Sequence, residues 1–223
     1  MPRIVGRKKG SKEVQVKKAV IQQESYQLPA FDREQVDSLI KNRRSIFPKD
    51  YSGEIIPKEK IETLLEHAHW APNHGKTEPW FFKVFTGEGL KKLADAQAAI
   101  YKELSGENFE EKKYNKLLKK PLMASHIIAI CMKRGDNPKI PELEEIEAVS
   151  AAVQNLWLSA TAMGLGGYWS SGGVTYKDEM RDWLGLGVED KCLGFFYLGM
   201  PKEGWTKGSR QSDWQSKVEW VEG

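Results

Sequence analysis

Gly164-Leu165-Gly166-Gly167-Tyr168-Trp169 is the stretch on which the fold class turns. Its spaced glycines invite comparison with the dinucleotide-binding turn, in which glycines let the backbone approach a pyrophosphate. That turn follows a strand and opens a helix. Here the preceding segment, Pro141 to Met163, carries Ile146, Val149, Val153, Leu156, Trp157 and Ala160 at helical spacing. Gly164 stands where a helix end favours a left-handed residue, and Trp169 occupies the third glycine's place. The full Walker pattern is absent too, because Trp70 stands where a first glycine would have to precede Gly75-Lys76-Thr77. The pattern of a doubly wound nucleotide-binding sheet is therefore absent, and a nucleotide cofactor would have to be held by side chains and irregular loops.

Outward from that stretch, long helices come between single strands, as in a layered fold of both element types. Toward the C-terminus the pattern predicts a strand over 167–170, a helix over 176–184, a strand over 192–198 and an extended tail. Upstream, Asp32 and Gln35 form a capping-box pattern for a helix whose face is Val36, Leu39 and Ile40. A second helix starts at Pro57, carries Ile61, Leu64, Leu65 and Ala68, and stops before Pro72. A loop over 73–79 leads to a strand over 80–85 and a helix over 90–104. The lysine-rich helix over 109–119 reads as a solvated face or a mobile cover, Pro121 ends it, and 127–132 reads as a fully buried strand.

Composition bounds the function. With 223 residues, 40% of them hydrophobic and 29% charged, the chain suits one domain plus a tail. No apolar run reaches the roughly 18 residues of a membrane span, and the basic N-terminus lacks a signal's apolar stretch, which predicts a cytoplasmic address. Cys131 and Cys192 each sit in an apolar run and read as core. Residues 1–30 form a basic extension ahead of a domain over 31–223. Arg3, Arg7, Lys8, Lys9, Lys12, Lys17 and Lys18 are opposed by Glu13 alone, yet no aromatic precedes Tyr26 to stack bases, so nucleic acid is not the expected partner. The extension reads as solvated, or as a seam of Val14, Val16, Val20 and Ile21 along a partner subunit. His67 and His69 are two apart on a helix, where a zinc pair wants four, so no metal is expected. Trp70, Trp80, Trp157 and Trp169 fall at apolar positions, whereas Trp205, Trp214 and Trp220 suggest packing on a partner.

Arg43-Arg44-Ser45 offers two guanidinium forks and a hydroxyl at a helix end, a donor set for a phosphate or the polar edge of a heterocycle. By itself the helix's own carbonyls would explain it. About one helix downstream comes Ala71-Pro72-Asn73-His74-Gly75-Lys76-Thr77-Glu78-Pro79-Trp80. The pair resembles the nitroreductase family, in which an Arg-Arg-Ser and an Ala-Pro-Ser/Asp-x-x-x-x-Gln-Pro-Trp loop both contact FMN. Gly164 to Gly172 is similar to that family's Gly-rich strand beside the flavin, and Gly194-Phe195-Phe196-Tyr197-Leu198-Gly199-Met200-Pro201 to its late strand and turn. The four matches run in the family's order from about Asp32 to Trp220.

The resemblance implies an α+β fold with a mostly antiparallel sheet flanked by helices, and a homodimer in which the C-terminal segment is exchanged onto the partner. It implies that Arg43 and Ser45 hold the ribityl and phosphate of FMN and that Arg44 approaches the pyrimidine edge. From the loop region it implies contacts by Trp70, Asn73, His74 and Lys76, with His74 reaching the ring over the dimer interface. Trp169, Ser170 and Ser171 line the other side, and Arg210 or Lys207 takes the phosphate. The implied activity is ping-pong transfer from NADH or NADPH through flavin N5 to an electron-poor small molecule, a nitroaromatic or quinone. No side chain is assigned a catalytic role. Glu78 where the family often has Gln, Lys76 where many members have Asn, and Ser170 where small members have Arg keep a second reading open, a flavin store or sensor with little turnover.

Overall fold

The computed structural model describes residues 28–223, and every element named here lies in the unit Arg33–Gly223. The basic run over 3–18 and the apolar seam over 14–21 lie outside the described residues. In chain order the elements are α1 (Arg33–Asn42), α2 (Lys58–His69), β1 (Trp80–Thr86), α3 (Glu88–Ser105), α4 (Glu111–Lys119), β2 (His126–Met132), α5 (Glu142–Ala162), β3 (Gly166–Ser170), α6 (Asp178–Trp183) and β4 (Lys191–Gly199). Proline and glycine punctuate them as the sequence predicts. Pro57 and Pro141 precede α2 and α5, and Pro121 opens a short 3-10 turn after α4. Gly164, at φ 71°, ends α5, where the Leu165 N–H donates to the Ala160 carbonyl at 2.8 Å.

The four strands form one antiparallel sheet in the order β1-β2-β4-β3. Alternation along the strands sends side chains to two helical layers. Ile127, Ala129, Phe195 and Tyr197 pack with Leu90 and Leu93 of α3 and Met180 of α6. Ile128, Ile130, Phe196 and Leu198 pack with Leu64 of α2 and Val153 and Leu156 of α5. Covered on both faces, β2 is buried at every position, which is why its sequence reads as an unbroken apolar run. Cys131 and Cys192 are paired in register on β2 and β4 and are buried in this core, as their apolar setting predicts.

The glycines singled out in the sequence serve packing. A Cβ at Gly194 would lie 2.1 Å from the Trp169 indole, and one at Gly199 2.3 Å from the Tyr51 ring. Tyr51 is buried there and donates its hydroxyl to the Tyr197 carbonyl at 3.0 Å; burial raises its pKa. These contacts fasten the segment after α1 to the β3 side of the sheet.

Three sequence expectations need correction. The apolar face of α1 is not buried in the protomer, since Val36 and Ile40 are 44% and 53% exposed. Trp70 is at the end of α2 on its outer side and is 76% exposed, because Leu64 and Ala68, not Trp70, face the sheet. Trp205 packs against its own protomer's core and donates its indole N–H to the Asn42 carbonyl.

Candidate functional site

Ser45 forms a parallel bridge to Gly167, and the Ile46 N–H donates to the Gly167 carbonyl at 3.0 Å. The Arg-Arg-Ser motif is thereby stitched to the free edge of β3. Arg43 places its guanidinium 4.2 Å from the centre of the Trp157 ring, and the Trp157 indole donates to the Arg44 carbonyl at 3.2 Å. Arg44 donates Nη1 to the carbonyls of Lys41 and Arg43, both at 2.7 Å. From the C-terminal side, Gly208 lies so close that a Cβ there would sit 2.1 Å from the Arg44 Cζ. A larger residue would have to push the Arg44 guanidinium aside, so the backbone of the Lys207 to Arg210 segment comes close against the motif.

This gathering is cationic. Burial, then Arg210, then Arg44 lower the pKa of Arg43. Among the described residues, Arg43 Nη1 and Arg44 Nε are buried without a hydrogen-bond partner. Buried donors left unpaired are costly, and two of them beside a third guanidinium suit an anion with several acceptor oxygens. The side chains here match a phosphate.

On the sheet face toward α3 and α4 lies a cavity of about 510 Å³, lined in part by Gln97, Tyr101, Lys116, Lys120, Tyr168, Ser170 and Tyr197. Lys120 Nζ donates to Ser170 Oγ at 3.0 Å and stands 4.7 Å from the centres of both the Tyr168 and Tyr197 rings. Among the described residues it has no carboxylate partner. Burial, with Lys116 nearby, pulls its pKa down to about 8. Trp169 goes the other way, since neighbouring strand residues face opposite sides. Its indole lies on Gly194 and donates to the Leu193 carbonyl at 3.1 Å. Ser171 is exposed just beyond β3.

The second motif stands apart within the protomer. His74 Nδ1 lies 2.5 Å from Glu144 Oε2 in the first turn of α5. Trp157, beside Arg43, is thirteen residues further along the same helix, roughly 20 Å at about 1.5 Å per residue. Asn73 is folded into its own loop, its Oδ1 accepting from the Glu78 N–H at 3.1 Å. Lys76 and Glu78 both have positive φ, 56° and 45°, a conformation costly for side chains larger than Gly. The loop is held in a strained shape with Lys76 exposed. The nearby imidazoles go separate ways, His67 to Ser159 at 2.7 Å and His69 to Trp80 at 3.1 Å.

Residues 40–200 match the profile described as the Nitroreductase family. The chain belongs to the nitroreductase family. Among curated relatives, the Bacillus subtilis protein YfhC, named for NAD(P)H nitroreductase activity, is 31% identical over 74% of this chain and 84% of its own. The Escherichia coli protein YdjA, named likewise, is 31% identical over 65% of this chain and 77% of its own. The solved nitroreductase-like family protein of Bacillus cereus superposes with a TM-score of 0.72 at 29% identity, covering 88% of this chain and all of that one. The α+β nitroreductase fold is thus the fold of this chain.

Of the residues named from the sequence, the structure places Arg43, Arg44, Ser45 and Arg210 along the edge strand that ends at Ser170, and beside Ser170 stands Lys120, which the sequence did not single out. It closes a lysine run that reads as solvated. The only signal was its place directly before Pro121, whose turn swings the side chain back over Tyr168 and Tyr197.

Proposed function

We propose that this nitroreductase binds FMN at the Arg-Arg-Ser motif and uses NAD(P)H to reduce an electron-poor small molecule, a nitroaromatic or quinone, by a ping-pong mechanism in the cytoplasm. The observation that carries the reading is the pair of buried, unpartnered guanidinium nitrogens on Arg43 and Arg44, with Arg210 beside them. They fit the FMN phosphate, and the cavity bordered by Ser170 lies on the same strand edge. FMN, when bound, supplies the N5 position that takes hydride from the nicotinamide and passes it to the acceptor.

Everything else is position and charge. Arg44 is committed to two backbone carbonyls and to Gly208, which favours a phosphate or ribityl role for it over the pyrimidine edge. Lys120 is the better candidate for that edge, because its ammonium enters the cavity with no carboxylate among the described residues to compensate it and would stabilise negative charge developing there. Tyr168 and Tyr197 give the same spot an aromatic, poorly hydrated floor.

Two copies of the chain are part of the proposal. His74 lies too far along α5 to meet Arg43 in one protomer, so the two motifs converge only if the second comes from a partner. Residues 201–210 stay with their own protomer, through the Tyr51 bridge to Pro201, Trp205 and Gly208. Exchange would therefore involve only the last dozen or so residues, which present the exposed Trp214, Trp220 and Val221. Among the described residues no helix is long and apolar enough to cross a membrane.

The test is spectroscopic. The purified protein should be yellow or become so with added FMN, bleach with NADPH or NADH, and regain colour with a nitroaromatic or quinone. A flavin that both nucleotides leave oxidised would favour storage or sensing, and failure to bind FMN at all would sink the proposal.

A further inference from the structure

Beside the 510 Å³ cavity lies a second cleft of about 710 Å³ that shares Lys116, Lys120 and Tyr168 with the first as lining residues. Its floor is apolar, formed by Phe47, Pro48, Met123 and the Tyr168 ring, whose centre is 4.7 Å from that of Phe47. Phe47 and Met123 remain close to half exposed, an apolar surface with nothing over it among the described residues. The rim is cationic. Lys112, Lys116 and Lys119 fall at successive intervals of four and three along α4, which puts them on one face of that helix, and Lys49 joins them from the segment after Ile46.

A lysine-rich exposed helix is ordinarily just a solvated face, and two features separate this one from that case. Among the described residues no Asp or Glu lines either cavity. Among the described residues Glu110 pairs with Lys113 alone, while Lys112, Lys116 and Lys119 have no carboxylate partner. The charge is thus concentrated over an apolar floor, and that combination suits a ligand with a flat apolar part and several negative charges.

We propose that this cleft receives the adenosine half of the reduced nicotinamide nucleotide, and that its lysines, by reading the phosphates, make NADPH the preferred reductant. The inference rests on the flavoenzyme reading above, since a nicotinamide must reach the cavity bordered by Lys120 and Ser170, and this cleft adjoins that cavity at Lys116, Lys120 and Tyr168. Adenine is planar and matches the Phe47 and Met123 floor. NADPH differs from NADH only by a 2′-phosphate, and ammonium groups act on it as compact point charges. An uncompensated lysine rim therefore favours the more anionic nucleotide.

The test measures the reductive half-reaction of the FMN-loaded protein by stopped flow, in the wild type and a Lys112→Gln, Lys119→Gln double variant. Both positions are exposed on α4. The apparent second-order rate with NADPH should fall about tenfold, that with NADH by less, and competitive inhibition by 2′,5′-ADP should weaken in step with the NADPH rate. An unchanged ratio of NADPH to NADH rates overturns the proposal. So does a loss confined to reoxidation by a 4-nitrobenzoate acceptor, which would assign the lysines to an acidic acceptor. A wild-type flavin that neither nucleotide bleaches overturns the flavoenzyme reading and takes this one with it.

Discussion

Lys120 shows how one side chain can be unfavourable for the folded chain and useful to a bound ligand. Its folded pKa of about 8 lies below its ordinary value of 10.5 because burial penalises the ammonium. Between those two values the unfolded chain binds a proton that the folded chain does not, so stability contributed at this site rises with pH across that window. Below it both states are protonated and the desolvation cost is present in full. Flavin-free Lys120→Met should therefore melt above the wild type at pH 7, with the two melting curves converging toward pH 10.5. Parallel curves across that range would show that Lys120 is not desolvated. At the same scale, two glycines of the late strand motif seat aromatic rings, Trp169 on Gly194 and Tyr51 against Gly199.

The elements themselves were legible because period and punctuation agree. The stripe Val149, Val153, Leu156, Ala160 is buried, as its spacing predicts, and the prolines and Gly164 bound their helices where expected. What was not legible is which elements lie side by side. The stripe of α1 is as regular as that of α2, yet only α2 is laid against the sheet, and Trp70 follows α2 on a side that no described residue covers. Burial of an ion pair was equally invisible. Glu145, 1% exposed, accepts from Arg134 and, at 3.1 Å, from the Gly135 N–H, tying the first turn of α5 to the chain leaving β2. Removing one partner of a buried pair strands the other charge, so Glu145→Ala should lower stability by about 3 kcal/mol, read as a urea midpoint shift. A variant indistinguishable from the wild type would mean that water compensates Arg134.

For the whole molecule, the question is how two motifs at opposite ends of α5 serve one ligand. Four motifs in order identified the family from sequence, but the distance between two of them appears only in the structure. If each site takes Arg43 from one chain and His74 from the other, Arg43→Ala and His74→Ala variants should each lose FMN at both sites, on the order of 1.5 to 3 kcal/mol for the charged contact of Arg43. Subunits of the two variants, mixed and reassembled, should form a heterodimer with one intact site and one doubly altered site, recovering FMN binding at up to half the sites. No recovery in a verified heterodimer would return both motifs to a single chain. The length of α5 then has a thermodynamic consequence. Where a ligand bridges two chains, cofactor affinity and subunit affinity become one linked quantity, so each free chain added to the pool is also a flavin released. Dilution would bleed both together, and excess FMN would hold the pair closed at concentrations where the bare chains separate.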